Sequence, residues 1–354
     1  MKPFYLYRTS IQVLIHSLIY LLCVATTQAQ WTKCNGSFGG TIGSFAKIGK
    51  ILFAGTLDGV YRSENNGENW TEVNNGLSSR KTSRLLVLDS ILVVDTDKGI
   101  YRSIDKGEHW EVINTTLTSI SKFIYNGVTL FAIENGIVYR SEDKGQTWQR
   151  INTNFTTSYI SSIAVVGKSI FIGNYGEGIF ESQDDGASWL PANTGIDNNK
   201  IVDVTTFKSM LFLSTTNDGI YRSTDTAKTW ILTNDGIFRN NNDYTFIVTD
   251  STLFVQAQLG ALYRIANTGL RWNYFDTQSG SFGIVHCITE IDTILFVGTN
   301  GEGVHRSMDN GLTWNSANTS LTNCRIRAFG KQGSSLFAGI ENLGLYKSTD
   351  NGNS

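Results

Sequence analysis

A motif of eight residues recurs about every 40 residues along almost the whole chain. It reads Ser-x-Asp-x-Gly-x-x-Trp, and we call it the box. Its starts lie at Ser63, Ser103, Ser141, Ser182, Ser223, Ile265, Ser307 and Ser348. All eight tryptophans keep this spacing, at Trp31, Trp70, Trp110, Trp148, Trp189, Trp230, Trp272 and Trp314. Such a period indicates a repeat architecture in which each unit is one supersecondary element.

Each repeat predicts four short strands. An apolar or alternating run such as 161–167 is followed by a second run such as 170–173. A third strand such as 59–63 ends at the box serine, and a fourth begins at the tryptophan. The runs are rich in β-branched and aromatic residues and are separated by turn residues. Helical spacing is not sustained after the N-terminal segment. Four strands per radially repeated unit predict an all-β fold with a single β-propeller of four-stranded blades.

The two ends of the chain bear on the number of blades. The last repeat stops at Ser354 before its tryptophan, whereas residues 31–35 look like the fourth strand of other repeats. The sequence therefore predicts eight blades, with the N-terminal strand completing the last one and leaving no open sheet edge. The alternative is that more chain follows Ser354. Cys34 and Cys324 would share the closing blade, where a disulfide is one option and free thiols are the other.

The residue types of the box predict a structural role. Glycine adopts a positive φ at low steric cost, an aspartate can accept N–H groups of its own turn, and a tryptophan can cover the seam between blades. The hairpin between strands three and four needs all three properties. The residues assigned to this role are the eight tryptophans and Asp105, Asp143, Asp184, Asp225, Asp309 and Asp350.

The first 29 residues have the pattern of a signal peptide. Lys2 and Arg8 precede an apolar run over 11–24, and Thr27 and Ala29 occupy the −3 and −1 positions of a cleavage site. The run is shorter than the roughly 20 residues of a spanning helix. We expect residues 30–354 to form the propeller and to be exported from a bacterial cell, to the periplasm, the cell surface or the medium, without a transmembrane segment.

Charge and composition argue against several functions. The chain has 29 basic and 31 acidic residues, so it lacks the basic excess of a nucleic-acid binder. His109, His286 and His305 fall in different repeats at no metal-ligand spacing. No phosphate loop or nucleophile elbow is present. The sequence therefore predicts no cofactor, no metal site and a monomer.

The box resembles the Asp-box, or BNR, repeat, and the resemblance covers residues 31–354. That repeat occurs in sialidase-like propellers, sortilin-type receptors, xyloglucan-active hydrolases and photosystem II assembly-factor-like proteins. The resemblance therefore implies a propeller but leaves the function open. Sialidases carry an Arg-Ile-Pro segment, and its nearest match here is Tyr263-Arg264-Ile265-Ala266, without the proline. The same Tyr-Arg pair recurs in other repeats, so we interpret Arg264 as a scaffold residue.

The connection between strands two and three carries an acid in seven repeats. These acids are Asp58, Asp97, Glu134, Glu177, Asp218, Glu302 and Glu341. A ring of carboxylates at a channel mouth could bind a cation or a basic partner segment. The alternative is ordinary turn chemistry, because acid–glycine pairs suit tight loops.

Long polar connections are predicted on the same face, after strand four of several repeats. The connection that begins at Asn234 contains Phe238, Arg239 and Tyr244, which are residue types favoured at interface hot spots. We therefore expect an exported, non-catalytic scaffold that binds a protein partner or an extracellular glycan through this face. The alternative is a carbohydrate-active, sialidase-like glycoside hydrolase or a glycan-binding module.

Overall fold

Thirty-two strands account for the regular structure of the described part of the chain. The computed structural model describes residues 31–34, 41–151, 155, 159–237, 243–257, 262–266, 271–274, 285–291, 293–300, 302–317, 325–350 and 352. Helices are absent from these residues. The segment 1–29 and the residues Phe238, Arg239 and Cys324 lie outside them.

The strands form eight antiparallel sheets of four, which are the blades of a β-propeller. The innermost strands are Ile42–Ile48 (β2), Thr82–Leu88 (β6), Ile120–Tyr125 (β10), Ile160–Val166 (β14), Ile201–Phe207 (β18), Tyr244–Val248 (β22), Val285–Ile291 (β26) and Ile326–Gln332 (β30). The second strands are Ile51–Thr56 (β3), Ile91–Thr96 (β7), Leu130–Glu134 (β11), Ser169–Asn174 (β15), Met210–Thr215 (β19), Thr252–Ala257 (β23), Ile294–Thr299 (β27) and Ser335–Ile340 (β31).

The outer half of each blade is shorter. The third strands are Gly59–Ser63 (β4), Gly99–Ser103 (β8), Ile137–Ser141 (β12), Gly178–Ser182 (β16), Gly219–Ser223 (β20), Leu262–Ala266 (β24), Val304–Ser307 (β28) and Gly344–Ser348 (β32). The outermost strands are Thr32–Lys33 (β1), Thr71–Glu72 (β5), Glu111–Asn114 (β9), Gln149–Arg150 (β13), Leu190–Pro191 (β17), Ile231–Leu232 (β21), Asn273–Tyr274 (β25) and Asn315–Ser316 (β29). The predicted fold class, an eight-bladed all-β propeller, is confirmed. We number the blades one to eight from β2.

The N-terminal strand completes blade eight. Thr32 lies opposite Lys347 in an antiparallel pair between β1 and β32. Trp31 is buried, and its indole N–H donates to the carbonyl oxygen of Ala317 in blade seven at 2.7 Å. The predicted closure is therefore confirmed, and blade eight has no missing outer strand. Cys34 is a free, buried thiol whose burial raises its pKa to about 12.

The core lies in the seams between neighbouring blades. The second strand of seven blades carries a fully buried phenylalanine, at Phe53, Phe131, Phe171, Phe212, Phe254, Phe296 and Phe337. Two of these rings meet a tryptophan of the following blade edge to face: Phe337 lies 6.2 Å from Trp70, and Phe212 lies 6.3 Å from Trp272. Burying one such side chain stabilises a fold by roughly 1.5–3 kcal/mol, so these rings are major contributors to each seam.

In three seams, the four residues that follow an outermost strand pack against the tryptophan of the next blade. We call such a four-residue segment a clasp. The clasps are 73–76 on Trp110, 192–195 on Trp230 and 233–236 on Trp272. In the first, the Trp110 indole N–H donates to Val73 O at 2.7 Å and its backbone N–H donates to Asn75 O at 2.8 Å. The Asn74 side chain accepts a bond of 2.7 Å from Val60 N. The other two clasps repeat these bonds.

The glycine that ends each clasp has no substitute in this geometry. Gly76, Gly195 and Gly236 have φ of 94°, 91° and 87°. A Cβ atom on them would lie 2.0, 2.3 and 1.9 Å from the carbonyl oxygen of the docked tryptophan. Because that oxygen belongs to the backbone, it has no free rotation by which to move aside.

Two seams are closed differently, and we call them filled seams. Between blades two and three, the position equivalent to Val73 is Ile113; between blades three and four it is Ile151. The Ile113 Cδ1 atom lies under the box glycine Gly145, 2.8 Å from where a Cβ would be. Here Trp148 is only half-buried, and its indole N–H has no hydrogen-bond partner in the described part of the chain. Trp189 is in the same situation.

Candidate functional site

The antiparallel order of the strands sorts the connections onto two faces. The connections between strands two and three, and those from the outermost strand to the next innermost strand, lie on one face, which we call the loop face. The boxes and the hairpins between strands one and two lie on the other, the box face. The side chains at the starts of the innermost strands lie at the loop-face mouth of the central channel.

On the box face, each of the six box aspartates accepts hydrogen bonds from residues of its own turn. In blade three, Ser141 Oγ accepts from Gly145 N at 2.6 Å and donates to Asp143 Oδ1 at 2.7 Å. The N–H and hydroxyl of Thr147 donate to the same carboxylate at 2.8 and 2.6 Å. Asp105, Asp184, Asp225, Asp309 and Asp350 repeat the serine bond at 2.6–2.8 Å.

These bonds favour the charged form of the carboxylates. Hydrogen bonds from Ser188 and from Thr229 lower the pKa of Asp184 and of Asp225, respectively, to about 2. Three boxes depart from the consensus, and the two that lie within the described residues, the first and the fifth, keep the turn. Asn65 accepts from Asn69 N at 3.0 Å, and Ala227 takes the glycine position with a φ of 61°.

The recurrent arginine of strand three contacts the next blade. Arg62 donates to Lys106 O at 3.1 Å, Arg140 donates to Asp185 O at 2.9 Å, and Lys347 donates to Asn66 O at 2.7 Å. Each acceptor belongs to the following box. Arg264 is buried in the equivalent strand β24, and a Cβ on the next box glycine, Gly311, would lie 3.3 Å from its Cδ. This position of strand three thus contacts the box of the following blade in several repeats.

The seven acids of the loop face differ in their surroundings. Glu134 is buried, and its carboxylate accepts from the N–H groups of Thr118 and Ser119 at 2.7 and 2.9 Å. Asp58 lies 3.8 Å from Arg80, and Asp97 lies 4.0 Å from Lys81. Glu341 is paired with two arginines, described below. Glu177 and Asp218 are partly exposed, and Glu302 is exposed.

The structure corrects one residue of the expected interface. Tyr244 opens the innermost strand of blade six and is 3% exposed, with Phe212 and Trp272 in the same buried cluster. It takes the position that Ile201 holds in blade five. Its ring therefore belongs to the core and is not available on the loop face.

Sequence analysis missed two tyrosines that stand on the loop face of blade four. Tyr159 precedes the innermost strand and is 59% exposed; Tyr175 lies between strands two and three and is 40% exposed. Their rings meet edge to face with centroids 6.2 Å apart. Tyr175 N donates to Tyr159 O at 3.0 Å, and Thr216 of blade five donates to the Tyr175 hydroxyl at 3.3 Å. The pair is thus held between two blades.

A cationic cluster lies at the channel mouth on blades seven and eight. The Arg327 guanidinium is 2.9 Å from Glu341 and 3.4 Å from His286 Nε2, and Arg325 is 3.5 Å from Glu341. Burial and the charge of Arg327 lower the pKa of His286. Burial alone would raise the pKa of Glu341, but the bond from Arg327 and the two positive charges outweigh it and lower that pKa.

The channel wall of blades three to five holds a further polar group. Lys122 Nζ donates to Ser162 Oγ at 2.8 Å, and Ser162 donates to Asp203 at 2.5 Å. The other oxygen of Asp203 accepts from Phe246 N at 2.9 Å. These bonds tie four successive blades together. No three Asp, Glu, His or Cys side chains of the described ranges group as metal ligands. A helix that could cross a membrane is likewise not found there.

Comparison with known proteins supports the class of fold, an eight-bladed propeller. No protein-family model and no curated protein sequence matches the chain. Solved structures do match. The computationally designed protein Ika8 is 12% identical with a TM-score of 0.65, over 90% of this chain and 99% of the designed one.

Two natural propellers are also similar. YCF48 from Cyanidioschyzon merolae is 14% identical with a TM-score of 0.55, over 92% of this chain and all of its own; a structure of YCF48 bound to D1 peptide gives 11% and 0.58, over 90% and 96%. The GH74 xyloglucanase from Xanthomonas campestris is 15% identical with a TM-score of 0.52, over 91% of this chain. This chain spans 54% of that enzyme. Identities this low show the fold alone.

Proposed function

We propose that the chain is an exported, non-catalytic propeller that binds a protein partner through its loop face. The observation that carries this proposal is the pair of exposed tyrosines, Tyr159 and Tyr175, on blade four. Large aromatic side chains are normally buried, so two neighbouring tyrosines exposed by 59% and 40% mark a candidate contact surface.

The backbone around the pair is fixed before any partner arrives. Gly178 N donates to Asn199 O at 2.8 Å, and Thr216 N donates to Lys200 O at 3.0 Å, so the loops of blades four and five are bonded to each other. A tyrosine on a rigid loop offers a large contact area at a small loss of side-chain entropy. The similar propeller YCF48 has been solved with a bound peptide, which is compatible with this reading.

The glycan alternative uses the same surface, since an aromatic ring can also stack on a sugar. The hydrolase alternative has no comparable observation in its favour. The box carboxylates are engaged by their own turns, and the arginines of strand three that resemble a sialidase residue contact the next blade's box.

The test is retention of partners from the native envelope fraction on immobilised protein, 30–354. We expect the double variant Tyr159→Ala, Tyr175→Ala to retain about tenfold less of its recurrent protein partner, as truncation of a hot spot does. The matched control is Tyr274→Ala, because Tyr274 is 48% exposed but lies on the outermost strand of blade six.

Equal retention by the double variant and the wild type would contradict the proposal. Loss on both the double variant and Tyr274→Ala would point to a general defect instead. Retention only of polysaccharide, competed by free sugar, would favour the glycan alternative.

A further inference from the structure

The residue types at the channel mouth differ from blade to blade, because the extra residue of the β-bulge in each innermost strand differs. The innermost strands of blades seven and eight each contain a register shift, between Val285 and Cys287 and between Ile326 and Ala328. The extra residues are His286 and Arg327. A bulge redirects the side chain of its extra residue, and bulges are common beside functional sites. In blades one, three, four and five the equivalent residues are Gly43, Ser121, Ser161 and Val202.

Blade two is the one other bulged blade with a cation at this point, and that cation is bonded internally. The Arg84 guanidinium donates to the carbonyl oxygen of Ile120 and lies 3.8 Å from the buried Asp95. Lys122 of blade three is likewise held by Ser162 and Asp203. Blades seven and eight, by contrast, bring two guanidinium groups and an imidazole together at this mouth.

A single carboxylate serves two guanidinium groups there. Glu341 Oε2 accepts from Arg327 Nη2 at 2.9 Å and lies 3.5 Å from Arg325 Nη1. The arginines stay accessible, with 54% of the Arg325 side chain and 32% of the Arg327 side chain exposed. Each guanidinium has five N–H donors, and those two contacts leave most of them unused by Glu341. Two fixed positive charges against one negative charge leave the cluster with an excess positive charge.

We propose that Arg325 and Arg327 form a binding site for a carboxylate group of an acidic peptide segment, and that Glu341 occupies this site when the protein is free. The inference rests on the proposed function, since it names the chemistry of the partner segment. Guanidinium groups recognise carboxylates by paired, charge-assisted hydrogen bonds, and this planar geometry suits arginine better than lysine. Glu341 already shows that the two arginines can converge on one carboxylate.

The role proposed for Glu341 predicts whether its replacement strengthens or weakens the binding of an acidic peptide. An internal carboxylate competes with the incoming one, so replacing it with the neutral, isosteric glutamine strengthens binding of an acidic peptide. A ring of acids that binds a basic segment would behave in the opposite way, because each lost carboxylate weakens binding. The two ideas about the loop face are therefore separated by one substitution.

The experiment titrates the mature protein into fluorescein-labelled peptides at low salt and follows anisotropy. The probes are tetraglutamate with an amidated end, tetraglutamine with an amidated end, and tetraglycine with either a free or an amidated end. We expect tetraglutamate to bind more tightly than tetraglutamine. Tighter binding of free than of amidated tetraglycine would assign the site to chain termini instead of acidic side chains.

Three variants give the sharper result. We expect Glu341→Gln to tighten tetraglutamate binding about fivefold and Arg327→Gln to weaken it about fivefold, the net size of one ordinary hydrogen bond in water. The matched control is Glu177→Gln, which removes one charge from the same kind of loop in blade four. It reports the general effect of charge on an anionic probe and should change binding less than twofold.

Equal effects of Glu341→Gln and Glu177→Gln, or unchanged binding by Arg327→Gln, would overturn the inference. A gain of affinity cannot come from misfolding, so Glu341→Gln remains informative even if Arg327→Gln destabilises the fold. The proposed function is tested independently. Its test replaces Tyr159 and Tyr175 and uses the native partner, whereas these titrations replace other residues and use synthetic peptides.

Discussion

The seam between blades one and two and the seam between blades two and three begin with similar pairs of residues, Val-Asn and Ile-Asn, but close in different ways. The first has Val-Asn-Asn-Gly over 73–76, and the second has Ile-Asn-Thr-Thr over 113–116. In the first, Trp110 is buried and bonded across the seam; in the second, Trp148 is half-buried and its indole N–H has no partner among the described residues. The eight tryptophans of the repeat are thus equivalent in sequence but not in the structure.

The difference follows from two positions. The first clasp position is valine, alanine or threonine in the clasps and isoleucine in the filled seams. We expect the longer isoleucine side chain to compete with the indole of the next blade for the space beside the carbonyl group. Glycine at the fourth position lets the chain approach the tryptophan backbone, and Thr116 in the filled seam takes another course. Asn114 illustrates the change, because its side chain accepts from Leu117 N at 2.7 Å instead of bonding strand three.

The largest effect should come from the clasp glycine. We expect Gly236→Ala to lower the free energy of unfolding by about 3 kcal/mol or more, because it adds a left-handed strain of about 1–2 kcal/mol to overpacking against Trp272 O. Gly167→Ala is the control: it has a φ of 60° but no atom within 4 Å of the new Cβ, so it should cost only the strain. Thermal unfolding of both variants measures the difference. If Gly236→Ala and Gly167→Ala lose the same free energy of unfolding, the clasp glycine is not closely packed against Trp272.

A middle-sized effect should separate the two kinds of tryptophan. Trp110→Phe leaves the buried Val73 carbonyl group without its donor, which costs about 1–3 kcal/mol. Trp148→Phe removes an N–H that has no partner in the described structure, so we expect a loss smaller by about 1 kcal/mol or more. Denaturant unfolding of both variants measures the difference, and identical midpoints would contradict the division of the seams.

The smallest effect should be the same on both sides of the comparison. The folded pKa of Asp184, beside a filled seam, and of Asp225, beside a clasp, is about 2, below the ordinary value of 3.8. A depressed carboxyl pKa contributes stability above about pH 4 that is lost as the pH falls towards 2. Asp184→Asn and Asp225→Asn should therefore flatten the acid limb of the stability curve equally. Urea titrations at several pH values measure this effect. If the two variants differ in their loss of pH dependence, the box itself contributes to the difference between clasps and filled seams.

The fold could be predicted because every repeat carries the same turn chemistry. Ser141, Asp143 and Gly145 close one hairpin by local bonds, and a local rule repeated at a fixed period is visible in the sequence. The clasp was harder to foresee, because it depends on whether Val73 or Ile113 faces the tryptophan of another repeat. That contact spans more than 30 residues and differs by one methylene group.

The candidate site was predicted less well than the fold. Tyr244 was assigned to the loop face because it ends a long polar connection with Phe238 and Arg239, which are residue types favoured at interfaces, although its register with Ile201 indicates the core. Tyr159 and Tyr175 were missed, since a lone tyrosine beside a strand gives no sign of exposure. Glu341 was found as one acid among seven, but its partners come from the start of the innermost strand: Arg325 precedes that strand, and Arg327 is the extra residue of its bulge.

The closure of blade eight orders the events of folding. Thr32 emerges near the start of the chain, but its partner Lys347 is made 315 residues later. Until then, the first strand has no neighbour, and Trp31 cannot reach Ala317. Contacts of such long sequence separation form late, since the loop between them must close first. The last blade therefore acts as a checkpoint: a nascent chain cannot form the finished ring before its eighth blade has been made.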